Sequence, residues 1–387
     1  MALLNHECVG KIFTYLSNED LVNCSLVNSF WKRIALKTIT IRTTKKEYIE
    51  LYNFLSLVSI AVFDTGRIIY LDLSEAALLH DVTMPIWSSF SFCVRYLQQL
   101  KYLIIRFCPA SIIESLSSSN PSLQKITFID TKGPSMNLVS LKNFEHLKEL
   151  FLQFTHTTPV VFKVGNDFHN LNNLLELTIT GVFNISISRI LQVINFQSLQ
   201  SLSLGSCVEF PLEYATILRG FQQLKKLRLE GCKSLTALAV FYAVAGMDNL
   251  KHLEMIDVEI PNGTDEGIAR CTNLSKLLIA PNHKNVTNTN NRRILCGVLK
   301  LRKNLQHFQW IFAQRSFSDS WKDIIISKEL PYLDEYGNIE TLYVVKGKSV
   351  KFDTASLKTF IELFMPDCII SIKKIPSASL FSSKLSY

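Results

Sequence analysis

A six-residue pattern, apolar-x-x-apolar-x-apolar, recurs along this chain of 387 residues. Between the copies that begin at Leu100 and Leu274, successive starts lie 23 to 27 residues apart. A unit of this length cannot bury its own apolar face, so units with such spacing stack against their neighbours. The eleven copies begin at Ile68, Leu100, Leu123, Leu147, Leu174, Leu199, Leu224, Leu250, Leu274, Leu305 and Ile339.

Each copy predicts one short strand whose fourth and sixth residues face the core, because side chains alternate along a strand. The rest of the unit is expected to return as a helix, with candidates at Leu212–Phe221, Leu235–Met247 and Arg292–Lys300. We therefore expect an α/β fold, a leucine-rich-repeat solenoid over residues 46–365. Its parallel strands would line a concave face and its helices a convex face, and residues 366–387 would form a C-terminal cap and flexible tail.

Three cysteines and one asparagine share a further position, eight residues after the first apolar residue of their copies. They are Cys108, Cys207, Cys232 and Asn282. Asn or Cys is typical of a leucine-rich repeat at this place, where the chain leaves the strand. This assigns a third of the nine cysteines to structure rather than to metal binding or redox chemistry.

Residues 1–36 do not follow the repeat, and three short helices are predicted within residues 1–45. Val9, Ile12, Phe13 and Leu16 form one apolar stripe at helical spacing. Ser17-x-x-Asp20 predicts a capped second helix, and a third is expected from Asn28 onward. Because so small a unit makes a poor core, we expect the stripe to be an exposed docking surface.

The same residues carry a family resemblance. The run VGKIFTYLSNEDL from Val9 to Leu21, followed by Ser25-Leu26-Val27 and Trp31, resembles an F-box. The resemblance implies binding to a Skp-type adaptor and, through it, to a cullin, although Asn5 stands where many F-boxes have proline. The residues it assigns to adaptor binding are Leu4, Val9, Ile12, Phe13, Leu16, Leu21, Leu26, Val27 and Trp31.

A protein target is expected on the concave face, where the third, fifth and seventh residues of each copy point. Aromatic and charged side chains there suit protein recognition. The predicted target-binding residues are Tyr102, Ile104, Arg106, Phe151, Lys226, Arg228, His252 and Glu254.

Composition and motifs narrow the classes of function. The formal net charge of +8 is not concentrated in one run, and no catalytic motif is found, so we expect no nucleic-acid partner, no enzyme activity and no cofactor or metal. The longest apolar run, Leu235 to Met247, is too short to cross a bilayer. With an odd number of cysteines and no signal-peptide pattern, we expect a cytoplasmic or nuclear protein.

Two hypotheses of function follow. In the first, the chain is the substrate-recognition adaptor of an SCF (Skp-cullin-F-box) ubiquitin ligase. In the second, it is a plain leucine-rich-repeat scaffold that binds proteins, and its N-terminal helices only cap the stack. A degenerate copy at Leu36-x-x-Ile39-x-Ile41 would supply such a cap instead.

Overall fold

The computed structural model describes part of the chain. The chain forms two compact units, the first mainly of residues before 178 and the second mainly of residues after 195. The described residues are 6–44, 68–74, 84–109, 111–119, 122–131, 135–137, 139–154, 160–163, 173–180, 183–184, 197–205, 217–282, 288–314, 329–333, 339–343 and 354–376.

Three helices open the first unit, as predicted. They are α1 (His6–Phe13), α2 (Asn18–Ser25) and α3 (Ser29–Thr44). The alternative of a degenerate repeat at Leu36 to Ile41 is wrong, because these residues continue helix α3. An unbroken helix satisfies their backbone groups internally and leaves no strand to pair.

Eleven strands among the described residues form one sheet, and every pairing recorded within it is parallel. Their order follows the chain, which is the order expected when each repeat adds one strand beside the last. The strands are β1 (Tyr70–Leu73), β2 (Tyr102–Arg106), β3 (Lys125–Ile129), β5 (Glu149–Gln153), β7 (Glu176–Thr180), β9 (Ser201–Leu204), β10 (Lys226–Glu230), β11 (His252–Val258), β12 (Lys276–Pro281), β13 (His307–Gln314) and β16 (Ile369–Pro376).

The repeated apolar residues form the core of this sheet. In the ten copies from Ile68 to Leu305, the first, fourth and sixth residues are all at most 3% exposed. The register aligns equivalent positions, as in the pairs Leu227 with Leu253 and Leu229 with Met255. The predicted leucine-rich-repeat fold is therefore confirmed.

The segments between the strands are more varied than predicted. Helices occur at α4 (Met84–Val94), α5 (Ile112–Ser119), α6 (Ser234–Val244), α7 (Thr264–Arg270) and α8 (Asn288–Lys300). Elsewhere a small parallel sheet replaces them, made of β4 (Ser135–Asn137), β6 (Val160–Lys163) and β8 (Phe183–Asn184). The β-branched and aromatic residues of β6 favour a strand. Two predicted helices are confirmed as α6 and α8, whereas most of Leu212–Phe221 lies outside the described residues.

The C-terminal predictions need correction. The copy at Ile339 lies in β15 (Ile339–Tyr343), which pairs antiparallel with β14 (Glu329–Leu333) outside the large sheet. The eleventh strand is instead β16, which follows helix α9 (Thr354–Phe364) and pairs with β13. Ile369–Pro376, predicted as part of the C-terminal cap, therefore add one more strand to the sheet. The flexible tail, predicted for residues 377–387, lies outside the described part.

Candidate protein-binding surfaces

Capping residues define the three N-terminal helices. The Ser17 Oγ accepts the Asp20 backbone N–H at 3.1 Å, and the Asp20 carboxylate accepts the Ser17 N–H at 3.4 Å, so the predicted capping box is present. The Asn28 Oδ1 accepts the Trp31 N–H at 2.9 Å and starts α3. These bonds satisfy amide groups that a helix start leaves open.

The apolar stripe of α1 divides between an inner and an outer face. Val9 and Phe13 are 2% and 1% exposed, and Leu21 is fully buried. The Phe13 ring meets Trp31 edge-on, with ring centroids 5.4 Å apart. The prediction that the whole stripe is exposed is therefore wrong for Val9 and Phe13, because three helices bury one side of each other even in a small unit.

Four large apolar side chains of this region remain exposed. Ile12 is 50% exposed, and Tyr15, three residues later, is 82% exposed. Leu26 and Val27, in the turn after α2, are 65% and 60% exposed. We call these four residues the apolar patch. Sequence reasoning missed Tyr15, although its spacing from Ile12 was a signal.

The other predicted adaptor-binding residues are less accessible or lie outside the description. Leu16 and Trp31 are half-buried. Leu4 lies outside the described residues. The assignment of all nine residues to adaptor binding stays a prediction, and exposure favours Ile12, Leu26 and Val27 among them.

In the first unit, the predicted target-binding side chains Tyr102, Ile104, Arg106 and Phe151 are half-buried on the strand face opposite the leucines. Two of them take part in electrostatic contacts. Arg106 lies 3.1 Å from the buried carboxylate of Asp130, and the Lys125 ammonium lies over the Phe151 ring at 4.4 Å. Lys125 also pairs with Glu149 at 2.6 Å. Much of the charge on this face is therefore paired within the chain.

In the second unit, the predicted residues form one ion cluster. The Arg228 guanidinium donates to Glu230 Oε1 from Nε at 2.9 Å and to Glu254 Oε2 from Nη1 at 3.1 Å. The other Glu254 oxygen lies 2.9 Å from Lys226 Nζ and 3.1 Å from His252 Nε2. Arg228 is 8% exposed and Glu254 1% exposed. Both were expected to face a target directly, and the structure corrects this, because each buried charge needs an opposite charge beside it.

The pKa values of the two glutamates in this cluster shift in opposite directions. For Glu254, burial raises the pKa, but the hydrogen bond from His252 and the charges of Lys226 and Arg228 outweigh it and lower the pKa to about 2. For Glu230, burial prevails over Arg228 and raises the pKa. Its Oε2 is buried without a hydrogen-bond partner among the described residues. Glu254 is therefore the firmly ionised member of the pair.

A second apolar layer lies beyond these charges. Ile256, Leu278, Ala280 and Ile311 form a buried cluster and are each 0% exposed. They occupy fifth or seventh positions of their copies, where sequence reasoning expected side chains open to a target. This part of the strand face is thus closed to a direct contact.

The cysteines with described side chains at the position after the strand are packed inside. Cys108 and Cys232 are at most 1% exposed, and burial raises the pKa of Cys108. Cys207 lies outside the described residues. A buried protonated thiol is a poor nucleophile and metal ligand, so the structural assignment fits the two visible cysteines.

Two kinds of feature are absent from the described residues. These residues contain no group of three or more His, Cys, Asp or Glu side chains placed to hold a metal ion. Within the same part of the chain, no helix has the length and apolar character required to span a membrane.

Comparison with known proteins identifies the N-terminal region. Residues 6–43 match the family model described as F-box-like. No curated protein matches the chain. Among solved structures, a leucine-rich-repeat protein of Leptospira interrogans is 14% identical with a TM-score of 0.37, over 72% of this chain and 62% of its own. The plant peptide hormone receptor RGFR1, in complex with RGF2, is 15% identical with a TM-score of 0.31, over 56% of this chain and 38% of its own. The chain thus spans less than two thirds of either structure. It combines an F-box-like region with a leucine-rich-repeat sheet.

Proposed function

We propose that this chain is the substrate-recognition adaptor of an SCF-type ubiquitin ligase. Its N-terminal helices would bind a Skp-type adaptor, and through it a cullin, while the repeat sheet would bind a protein substrate. The observation that carries the proposal is the exposed apolar patch on a region that matches the F-box-like model. Ubiquitin transfer would then belong to the partners, in the cytoplasm or nucleus, and this chain would supply binding alone.

The patch favours a partner on physical grounds. Large apolar side chains that are exposed on one small unit gain free energy when another protein covers them. Covering Ile12 or Leu26 would stabilise a complex by roughly 1.5–3 kcal/mol each. The buried residues Val9, Phe13 and Leu21 would support this surface from within, because they hold the three helices together.

The alternative is a repeat scaffold without a ligase partner. Helix α3 contacts strand β1 within the first unit, as a cap on the sheet would. A cap, however, needs an apolar side toward the sheet and a polar side toward water. A cap alone would not require the apolar patch to be exposed.

Co-purification tests the proposal. The full chain, tagged and expressed with a Skp-type adaptor, should retain that adaptor. Changing both Ile12→Ala and Leu26→Ala should weaken retention by a factor on the order of 10²–10⁴, since two apolar contacts are lost. Both side chains are at least half exposed, so the fold should persist, as circular dichroism would show.

Leu235→Ala is the matched control, because Leu235 is also a large apolar side chain, 72% exposed, but lies on α6 in the second unit. It should leave retention unchanged. Failure of the unaltered chain to retain the adaptor, or full retention by the double variant, would contradict the ligase proposal and leave the scaffold.

A further inference from the structure

A row of basic side chains begins four neighbouring strands of the second unit. The residues Lys226, His252, Lys276 and His307 are the first residues of β10 to β13, and the register pairs each with the next. We call these four the basic row. Since paired strands lie about 4.8 Å apart, the row extends about 14 Å across the sheet.

Two further lysines stand just before the row. Lys225 and Lys251 are exposed, and their ammonium groups bond neutral oxygens: the Gln200 side-chain oxygen at 3.0 Å and the Asp248 backbone oxygen at 2.9 Å. Neither of these two contacts brings in an opposite charge. In the described segments that lead into β10–β13 and β16, the exposed carboxylates are Asp248 and Asp367. The start of these strands therefore carries excess positive charge.

The row is supported from beneath by a buried anion. Glu254, 1% exposed, lies within ion-pair distance of both Lys226 and His252, and Arg228 holds its other oxygen. The Lys226 side chain is nevertheless 39% exposed. Side chains oriented in advance lose less conformational entropy when a ligand arrives.

The first unit lacks such a row at the equivalent positions. Its first strand residues Tyr70, Tyr102, Lys125 and Glu149 are aligned in the same way. Tyrosine is neutral, and the single lysine pairs with Glu149 at 2.6 Å. The positive charge is thus a feature of the second unit rather than of the repeat itself.

We propose that the basic row binds an extended acidic segment of the protein target. The inference rests on the proposed function and adds the chemistry of the substrate. Beyond His307, the same register continues to Ile369, which pairs with His307 and is 64% exposed. At the usual strand spacing, Ile369 lies about 19 Å from Lys226. An extended peptide rises about 3.3 Å per residue, so about six residues span this distance. An apolar residue would follow the acidic ones and contact Ile369.

The chemistry of this face favours a peptide over a nucleic acid. Single-stranded nucleic acids bind by stacking bases on aromatic side chains, and no Phe, Tyr or Trp occupies the third or fifth position of the copies on β9 to β13.

Fluorescence anisotropy with labelled peptides tests the proposal on the full chain. The probe is six glutamates followed by isoleucine, compared with a peptide of six glutamines and isoleucine. The acidic probe should bind and the glutamine peptide should not. Changing Lys225→Gln and Lys251→Gln together should raise the Kd between about twofold and thirtyfold, as expected for two exposed charge contacts.

The matched control is the pair Lys101→Gln and Lys148→Gln, which stand at the same place in two copies of the first unit and are also exposed. This pair should leave the Kd unchanged. An equal loss in both variants would mean attraction to net charge alone and overturn the proposal. Equal affinity for the glutamine peptide, or displacement of the acidic peptide by an oligothymidylate at a lower concentration, would also overturn it.

The source of the negative charge is distinguished in the same assay. A peptide with phosphoserines in place of alternate glutamates shares the required chemistry, and the tighter of the two peptides identifies phosphate or carboxylate as the preferred group. Adaptor retention is measured separately. Retention without peptide binding refutes this inference alone, whereas peptide binding without retention refutes the ligase function alone.

Discussion

Replacing Glu254 with glutamine probes the buried ion cluster. The substitution keeps the size and shape of the side chain but removes its charge. Arg228, Lys226 and His252, all within 3.1 Å of its oxygens, would then surround a neutral amide. Removing one member of a buried ion pair is costly because the remaining charges lose their partner.

The magnitude follows from the pKa of Glu254. The pKa of Glu254 is about 2 in the folded chain, whereas the ordinary value is 4.5. Since one pKa unit corresponds to ~1.4 kcal/mol, the ionised carboxylate contributes about 3 kcal/mol to the free energy of unfolding. Because the folded pKa is lowered, the stabilisation is fully present above pH 4.5 and is lost as the pH falls through 2. The Glu254→Gln variant should therefore lose about 3 kcal/mol of unfolding free energy at pH 7 but only about half as much at pH 3.

Urea denaturation followed by tryptophan fluorescence measures this difference, since Trp310 is buried in β13 of the same unit. The matched control is Glu149→Gln, which removes the carboxylate that lies 2.6 Å from the Lys125 ammonium group. This pair is more exposed, because the Lys125 side chain is 32% and the Glu149 side chain 35% accessible. Exposed pairs contribute less than about 1 kcal/mol. The reasoning is refuted if Glu254→Gln costs no more than the control, or costs the same at pH 3 and pH 7.

Four further substitutions test the same ion cluster and other parts of the structure. Glu230→Gln should cost less than Glu254→Gln at pH 7, because burial raises the pKa of Glu230, and urea titrations of both variants give the order. Gly297→Ala should cost about 1–3 kcal/mol, because its Cβ would lie 2.8 Å from a side-chain carbon and 2.9 Å from a backbone oxygen of α7. Gly10→Ala should instead stabilise α1 by about 0.5–1 kcal/mol, because the added Cβ would have its nearest contact at 3.9 Å. A lower melting temperature for Gly10→Ala, or an unchanged one for Gly297→Ala, would contradict the respective argument. Ser17→Ala should destabilise α2 by about 1 kcal/mol, measured by circular dichroism, because the capping bond is lost.

Local sequence patterns predicted the structure correctly wherever only one side of a helix or strand faces the core. The leucines at positions one, four and six are buried in ten copies, and the capping box at Ser17 is present as its spacing predicts. The pattern failed at the end of the chain. There Asp367, two residues before β16, stands at the place that corresponds to Leu305, two residues before β13. The leading apolar residue is therefore missing, and only Ile370 and Ile372 keep the alternation.

The repeat strands up to Leu305, their order, the apolar core and the F-box-like helices could all be predicted from the sequence. They depend on periodicities of two and of three to four residues along the chain. Which polar and apolar residues are accessible depends instead on how the elements pack against one another. Phe13 and Ile12 are neighbours of similar character, yet one packs against Trp31 and the other faces outward. Arg228 and Glu254 lie 26 residues apart and meet only because parallel strands bring equivalent positions side by side. Burial and charge pairing depend on such neighbours, which no local pattern contains.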